Sequence, residues 1–145
     1  MVEACPQQEA SVPQSTSPEL HWLALSAAWC ALLWLPYVAN RFKELGPPGW
    51  AWFPPADPPP RAPWAQRAWR AHLNAVENLV VFAPLALAVV LAGRQDAGTA
   101  LAAQLYFWAR VGHYAVSIAG LPIVPRTLCF LLGVGSQLWL AGRLL

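Results

Sequence analysis

Four stretches of this chain read as long and apolar enough to cross a bilayer, and that expectation constrains the fold more than any motif does. A hydrocarbon layer about 30 Å thick takes roughly 20 helical residues. Residues 20–40, 67–93, 97–119 and 125–145 each supply that length. Lipid offers no partner to a bare N–H or C=O, so each stretch must satisfy its backbone internally, as a helix. The sequence predicts an all-α integral membrane protein, a bundle of four transmembrane helices. Composition agrees: 57% of residues are hydrophobic and only 11% charged, where soluble domains carry about a quarter charged. Nine tryptophans in 145 residues suit a chain that meets headgroup boundaries.

The connections set the topology. "GRQDAG" follows the second stretch and "GLPIVP" the third, turns short enough to make consecutive helices antiparallel neighbours. Pro36 is expected to bend the end of the first helix. The loop over 41–63 differs in kind, because "GPPGWAWFPPADPPPRAP" is too rich in proline for a helix. Its Trp50, Trp52 and Phe53 suggest a segment lying along the membrane interface, with a simple linker as the alternative. Residues 1–18, rich in Gln, Ser and Pro, read as a disordered tail. They have neither the basic head nor the apolar run of a secretory signal.

No Lys or Arg precedes Arg41, whereas Arg41, Lys43, Arg61, Arg67 and Arg70 crowd the first loop and its flanks. The positive-inside rule puts that loop in the cytoplasm and both termini outside. The Ala, Arg, Pro and Trp bias fits a bacterium with GC-rich DNA, and so a bacterial inner membrane. A net charge of +2 with no basic stripe speaks against nucleic acid as a partner. Cys5, Cys30 and Cys129 lie far apart with no CxxC spacing. We read Cys30 and Cys129 as packing residues, and no metal site is expected.

Against this apolar background the polar groups stand out. In "RAHLNAVENLVVF" (70–82), Arg70, Asn74 and Glu77 recur at i, i+4 and i+7, one face of a helix. Arg110, His113, Tyr114 and Ser117 form a similar stripe near the end of the third helix, and Arg126 and Thr127 open the fourth. The topology brings all three sets to one membrane depth, on the cytoplasmic side. Intramembrane ionisable residues are functional candidates by default. Arg70 and Arg126 could instead snorkel to the headgroups, and Glu77 could be the counter-ion of Arg70 or Arg110. Snorkelling does not account for Asn74, Glu77 and Arg110 together. Three arginines against one glutamate suit a small anionic ligand: guanidinium groups grip carboxylates, and Glu77 can accept from an ammonium.

Those residues carry a family resemblance. "RAHLNAVENLVVF" resembles the R-x-x-x-N-x-x-E pattern of the membrane-associated proteins in eicosanoid and glutathione metabolism, the MAPEG family. "ARVGHY" (109–114) resembles the family's third helix, "PRT" (125–127) the start of its fourth, and "LPYVANR" (35–41) the end of its first in bacterial members. The resemblance covers residues 20–145. It implies a homotrimer in the membrane lipid, with glutathione as co-substrate bound between protomers on the cytoplasmic side. It further implies that Arg70, Asn74, Glu77, Arg110, His113, Tyr114 and Ser117 hold the tripeptide, with Arg126 and Thr127 at its sulfur. Ser117 stands where the family often has Tyr, Leu73 where some members have a further basic residue, and Phe130 where some have Tyr. Two readings follow. One is a transferase or peroxidase acting on lipophilic electrophiles or lipid hydroperoxides; the other is a catalytically idle member that binds a ligand or assembles.

Overall fold

The computed structural model describes residues 16–53 and 59–145; most of the expected tail over 1–18, and part of the proline-rich loop, lie outside the described residues. Within them the chain is all-helical. It runs α1 (Pro18–Leu32), α2 (Leu35–Leu45), a single 3₁₀ turn (Trp50–Trp52), α3 (Pro63–Leu91), α4 (Ala97–Ala119) and α5 (Ile123–Leu144). The α1–α2 pair, α3 and α5 are long and apolar enough to cross a membrane. The helix α4 matches them in length, but its buried face carries Thr99, Arg110, His113 and Ser117. It packs against α5, α3 and α1 at the heart of the bundle.

The first rod is broken where the sequence suggested one helix bent near its end. Pro36 has no N–H for the Leu32 carbonyl, and its ring would collide with that turn. The chain therefore stops at Leu32 and restarts at Leu35, with Pro36 in the first turn of α2, where a missing N–H leaves nothing unmade. Restarting lets the helix run on to Leu45, so residues 41–45 are helical rather than loop. The helix α3 begins at Pro63, ahead of the expected 67, again with proline in its first turn. Its N-cap, Ala62, has no capping side chain. Glu44 of α2 supplies one: its carboxylate accepts from the backbone N–H of Arg61 at 2.9 Å and of Ala62 at 3.0 Å. One carboxylate thus ties both ends of the proline-rich segment together.

The core inverts the pattern of a soluble protein. Its inner positions are small: Ala65, Ala68, Ala71 and Ala75 on α3, and Ala102, Ala103 and Ala109 on α4. Large apolar side chains such as Val80, Leu101, Trp108, Leu131 and Trp139 point outward. In lipid, Leu gains little by turning inward, and close approach of small residues is what helix packing rewards. Phe82 and Tyr106 fill the middle of the bundle as a stacked pair, ring centroids 3.7 Å apart.

Candidate functional site

At one end of the bundle the head of α3, the tail of α4 and the head of α5 enclose a cavity of about 340 Å³. Arg67, Arg70, Ala71 and Asn74 line it from α3, His113 and Ser117 from α4, and Arg126, Thr127 and Phe130 from α5. The volume falls in the range of small-molecule sites. Three guanidinium groups face it, and among the described residues no carboxylate does.

The arginines are not equivalent. Arg67 lies across the end of α4, its Nε donating to the Ser117 carbonyl at 3.1 Å and its Nη2 to that of Ile118 at 3.0 Å. It caps the last carbonyls of α4 at the negative end of the dipole, sharing that of Ser117 with the Gly120 N–H at 3.1 Å. Gly120, which ends α4 at φ 71°, permits this. That backbone favours glycine, and an added Cβ would sit 3.1 Å from the Arg67 guanidinium. Arg70 and Arg126 are exposed. Neither has a hydrogen-bond or ion-pair partner among the described residues. A cavity with two unpaired guanidinium groups is an anion seat by construction, since each carries donors in a fork that fits a carboxylate.

The hydroxyls are engaged. Ser117 Oγ donates to the His113 carbonyl at 2.7 Å, and Thr127 Oγ1 to the Ile123 carbonyl at 3.0 Å. Both hold their proton on their own helix, the usual habit of Ser and Thr in a helix. In this arrangement each offers a lone pair to the cavity. Beneath the floor, Asn78 Nδ2 donates to the Asn74 carbonyl at 2.8 Å, and Gln137 of α5 donates to the Asn78 carbonyl at 3.0 Å.

The sequence stripes are only partly brought together. Arg70, Asn74, His113, Ser117, Arg126 and Thr127 meet at the cavity. Glu77 does not; it is exposed and finds no partner among the described residues. The reason is position along the axis. Angle alone does not decide it, because Glu77 lies only about 20° round α3 from Arg70, which does line the cavity. Glu77 sits seven residues, about 10 Å, further along the helix, past the cavity floor, and on the outer edge of the stripe. Tyr114 does not line the cavity either; it is buried away from it. Its hydroxyl donates to the Leu33 carbonyl at 2.9 Å, and its ring meets Trp29 edge-on at 5.9 Å. Tyr114 thus fastens the α1–α2 break, where a carbonyl left by the interrupted helix needs a donor. Arg110 is buried behind the cavity rather than in it.

Three lining residues were not among the expected ligands: Arg67, Ala71 and Phe130. The signal for Arg67 was present, because it precedes Arg70 by three and Asn74 by seven and extends the same stripe by one turn. Phe130 follows Arg126 by four. Ala71 contributes by being small, which no pattern of polar residues reveals.

Comparison with known proteins puts this geometry in context. The model of the MAPEG family matches residues 20–145. Microsomal glutathione S-transferase 1 of Homo sapiens is 36% identical over 80 residues, and that of Sus scrofa 39% over 80. The Rattus norvegicus protein of the same name is 40% identical over 81. Each match spans 55% of this chain and 52% of the relative, about half the length of either. No solved structure matches.

Proposed function

The chain belongs to the MAPEG family, and on that premise we propose that it is a membrane-embedded glutathione-dependent transferase or peroxidase, acting on lipophilic electrophiles or lipid hydroperoxides. One observation carries the reading: Arg70 and Arg126 face a single cavity, and among the described residues no carboxylate neutralises them. Such a seat fits a peptide with two carboxylates, and glutathione is one.

In this reading Arg70 grips a carboxylate, Asn74 and His113 supply neutral hydrogen bonds, and Arg126 stands at the sulfur. A free thiol has a pKa of about 8.5 and is only a few per cent ionised at neutral pH. Lowering that value by about two units requires about 2.7 kcal/mol of preference for the thiolate. One guanidinium in a partly desolvated site can supply it. The thiolate then attacks an electrophilic carbon, forming the thioether as the leaving group departs with the bonding pair. With a hydroperoxide it attacks the terminal oxygen, the O–O bond breaks, and the alkoxide takes a proton to leave as the alcohol. A second glutathione then displaces hydroxide from the sulfenic acid, giving the disulfide and water. Positioning at the bilayer edge, where a lipophile arrives, supplies much of the remaining acceleration.

The assembly we propose is a homotrimer in a bacterial inner membrane, with the cavity on the cytoplasmic side and both termini outside. Glu77, turned away from the cavity of its own chain, is left to meet the glutathione ammonium across an interface between copies. A second reading, a catalytically idle member that binds a ligand or assembles, draws on the hydroxyls. Ser117 replaces a phenol, and Thr127 holds its proton on the Ile123 carbonyl.

An ultraviolet difference titration of glutathione into the purified protein at neutral pH separates the two. The enzyme reading requires a saturable thiolate absorbance that Arg126→Ala abolishes. Binding by calorimetry without any thiolate signal would select the idle reading.

A further inference from the structure

Arg110 belongs to the polar set of the site, yet it does not line the cavity, and at 4% exposure it is almost sealed from it. Its guanidinium is spread over two helices instead. Nη1 reaches the Asn74 side-chain oxygen on α3 at a long 3.5 Å. Nη2 donates to the Cys129 carbonyl at 3.1 Å and the Phe130 carbonyl at 3.3 Å on α5. The group lies over the rings of Tyr106 and Phe130, 5.6 and 5.7 Å from their centroids. Its Nε has no partner among the described residues. A buried charge held this way is costly to disturb, because its partners cannot be replaced by water.

The space it occupies is made by one residue. Gly133 is buried on α5, and a Cβ built on it would overlap the Arg110 guanidinium, meeting its central carbon at 2.9 Å and Nε at 3.1 Å. The overlap lies at the rigid planar end of the side chain, and that end is already committed to three oxygens. Gly135, two residues on, opens onto nothing within 4 Å. The glycine at 133 therefore has a steric reason that its neighbour lacks.

We propose that Arg110 is a positioning residue seated by Gly133. It touches no part of glutathione, but fixes where Asn74 and the first turns of α5, which carry Arg126, stand relative to each other. The consequence for chemistry rests on the glutathione reading above. Phe130, gripped through both its carbonyl and its ring, lies one turn beyond Arg126 and lines the cavity beside it. Asn74 presents its oxygen to Arg110, which leaves its amide N–H groups for the cavity. Displacing the guanidinium loosens both walls at once. Sub-ångström errors in placing a charge weaken its effect on a reacting atom more than they weaken binding of a flexible peptide.

The test compares Gly133→Ala and Arg110→Lys with wild type, and uses Gly135→Ala as a control substitution on the same helix. Three readouts are needed: glutathione affinity by calorimetry, the pH midpoint of bound-thiolate absorbance, and hydrogen exchange of the amides over 123–134. Gly133→Ala and Arg110→Lys should leave affinity within about threefold, while the midpoint rises by about one unit, a tenfold loss of thiolate at a given pH. Exchange over 123–134 should quicken in both, and Gly135→Ala should match wild type throughout. The proposal is overturned if either variant keeps the wild-type midpoint and exchange. It is equally overturned if Arg110→Lys loses affinity while the remaining bound glutathione keeps its midpoint, since Arg110 would then touch the ligand. A wild type that binds no glutathione would end the functional reading instead. The exchange data alone would then decide whether Gly133 and Arg110 set the position of α5.

Discussion

The two ends of the bundle use the same materials for opposite purposes. At the far end from the cavity, Asp96 accepts from the Thr99 N–H at 2.8 Å, and Thr99 Oγ1 accepts from the Asp96 N–H at 2.8 Å, a closed capping box. Thr99 Oγ1 also donates to Glu19 at 2.6 Å, and Glu19 is only 1% exposed. Arg143 pairs with Asp96, while Arg94 donates to the Arg143 carbonyl at 3.0 Å. Each charge there meets a partner from another helix. At the cavity end Arg67 is likewise spent on helix carbonyls, but Arg70 and Arg126 are not. Charge at the end of a membrane helix is therefore ambiguous by itself. Pairing makes it a fastening; where no carboxylate among the described residues meets it, as at Arg70 and Arg126, the charge is left for a ligand in the reading proposed above.

The contrast between the two ends is lost most completely if the cavity is given a carboxylate, which none of its described lining residues carries. Arg70→Glu should weaken glutathione binding about a hundredfold, or about 2.7 kcal/mol, by calorimetry. An unchanged affinity would mean that the peptide binds elsewhere. At the far end, Thr99→Val removes a hydroxyl shared by Glu19 and Asp96 and leaves a buried carboxylate alone. Unfolding in mixed micelles should show a loss of about 2 kcal/mol, with glutathione affinity unchanged. Tyr114→Phe sharpens the line between fastening and seat within the polar stripe of α4. It should lower stability by about 1 kcal/mol, the net worth of one hydrogen bond, and shift affinity less than about twofold. A large affinity change would return Tyr114 to the site. The smallest effect is expected from Glu77→Gln, about threefold weaker binding in the assembled protein, as for an exposed charge pair. A monomeric preparation should show none.

Much of the fold was legible in the sequence because a bilayer leaves few choices. Residues 97–119 form α4, bounded by an aspartate cap and a glycine stop that any reader of helix ends would find. The break after Leu32 was harder to place. Pro36 announced a disruption, but a proline disturbs the turn before it, and its own position is free to start a new helix. The early start of α3 was hidden for a different reason. Its cap comes from Glu44, eighteen residues before Ala62 on another helix, and no local pattern points to a long-range cap.

The site divides in the same way. Helical spacing put Arg70, Asn74, His113, Ser117, Arg126 and Thr127 at one depth, and they line one cavity. Spacing treated Tyr114 and Glu77 as equal members of those stripes, and the bundle separates them. For Tyr114 the roll of α4 decides, since it lies about 100° round the helix from His113; for Glu77 it is depth, seven residues beyond Arg70 on nearly the same edge of α3. For Arg110 the residue type was informative and its role was not. Sequence alone was enough for the all-helical class, the order of the long helices and the polar stripes along them, because these follow from hydropathy and period along one chain. Which of those groups are paired came only with packing. A hydrogen bond such as Tyr114 to Leu33 or Arg110 to Cys129 joins residues that are far apart in the chain, or on different helices, and meet only once the helices have packed.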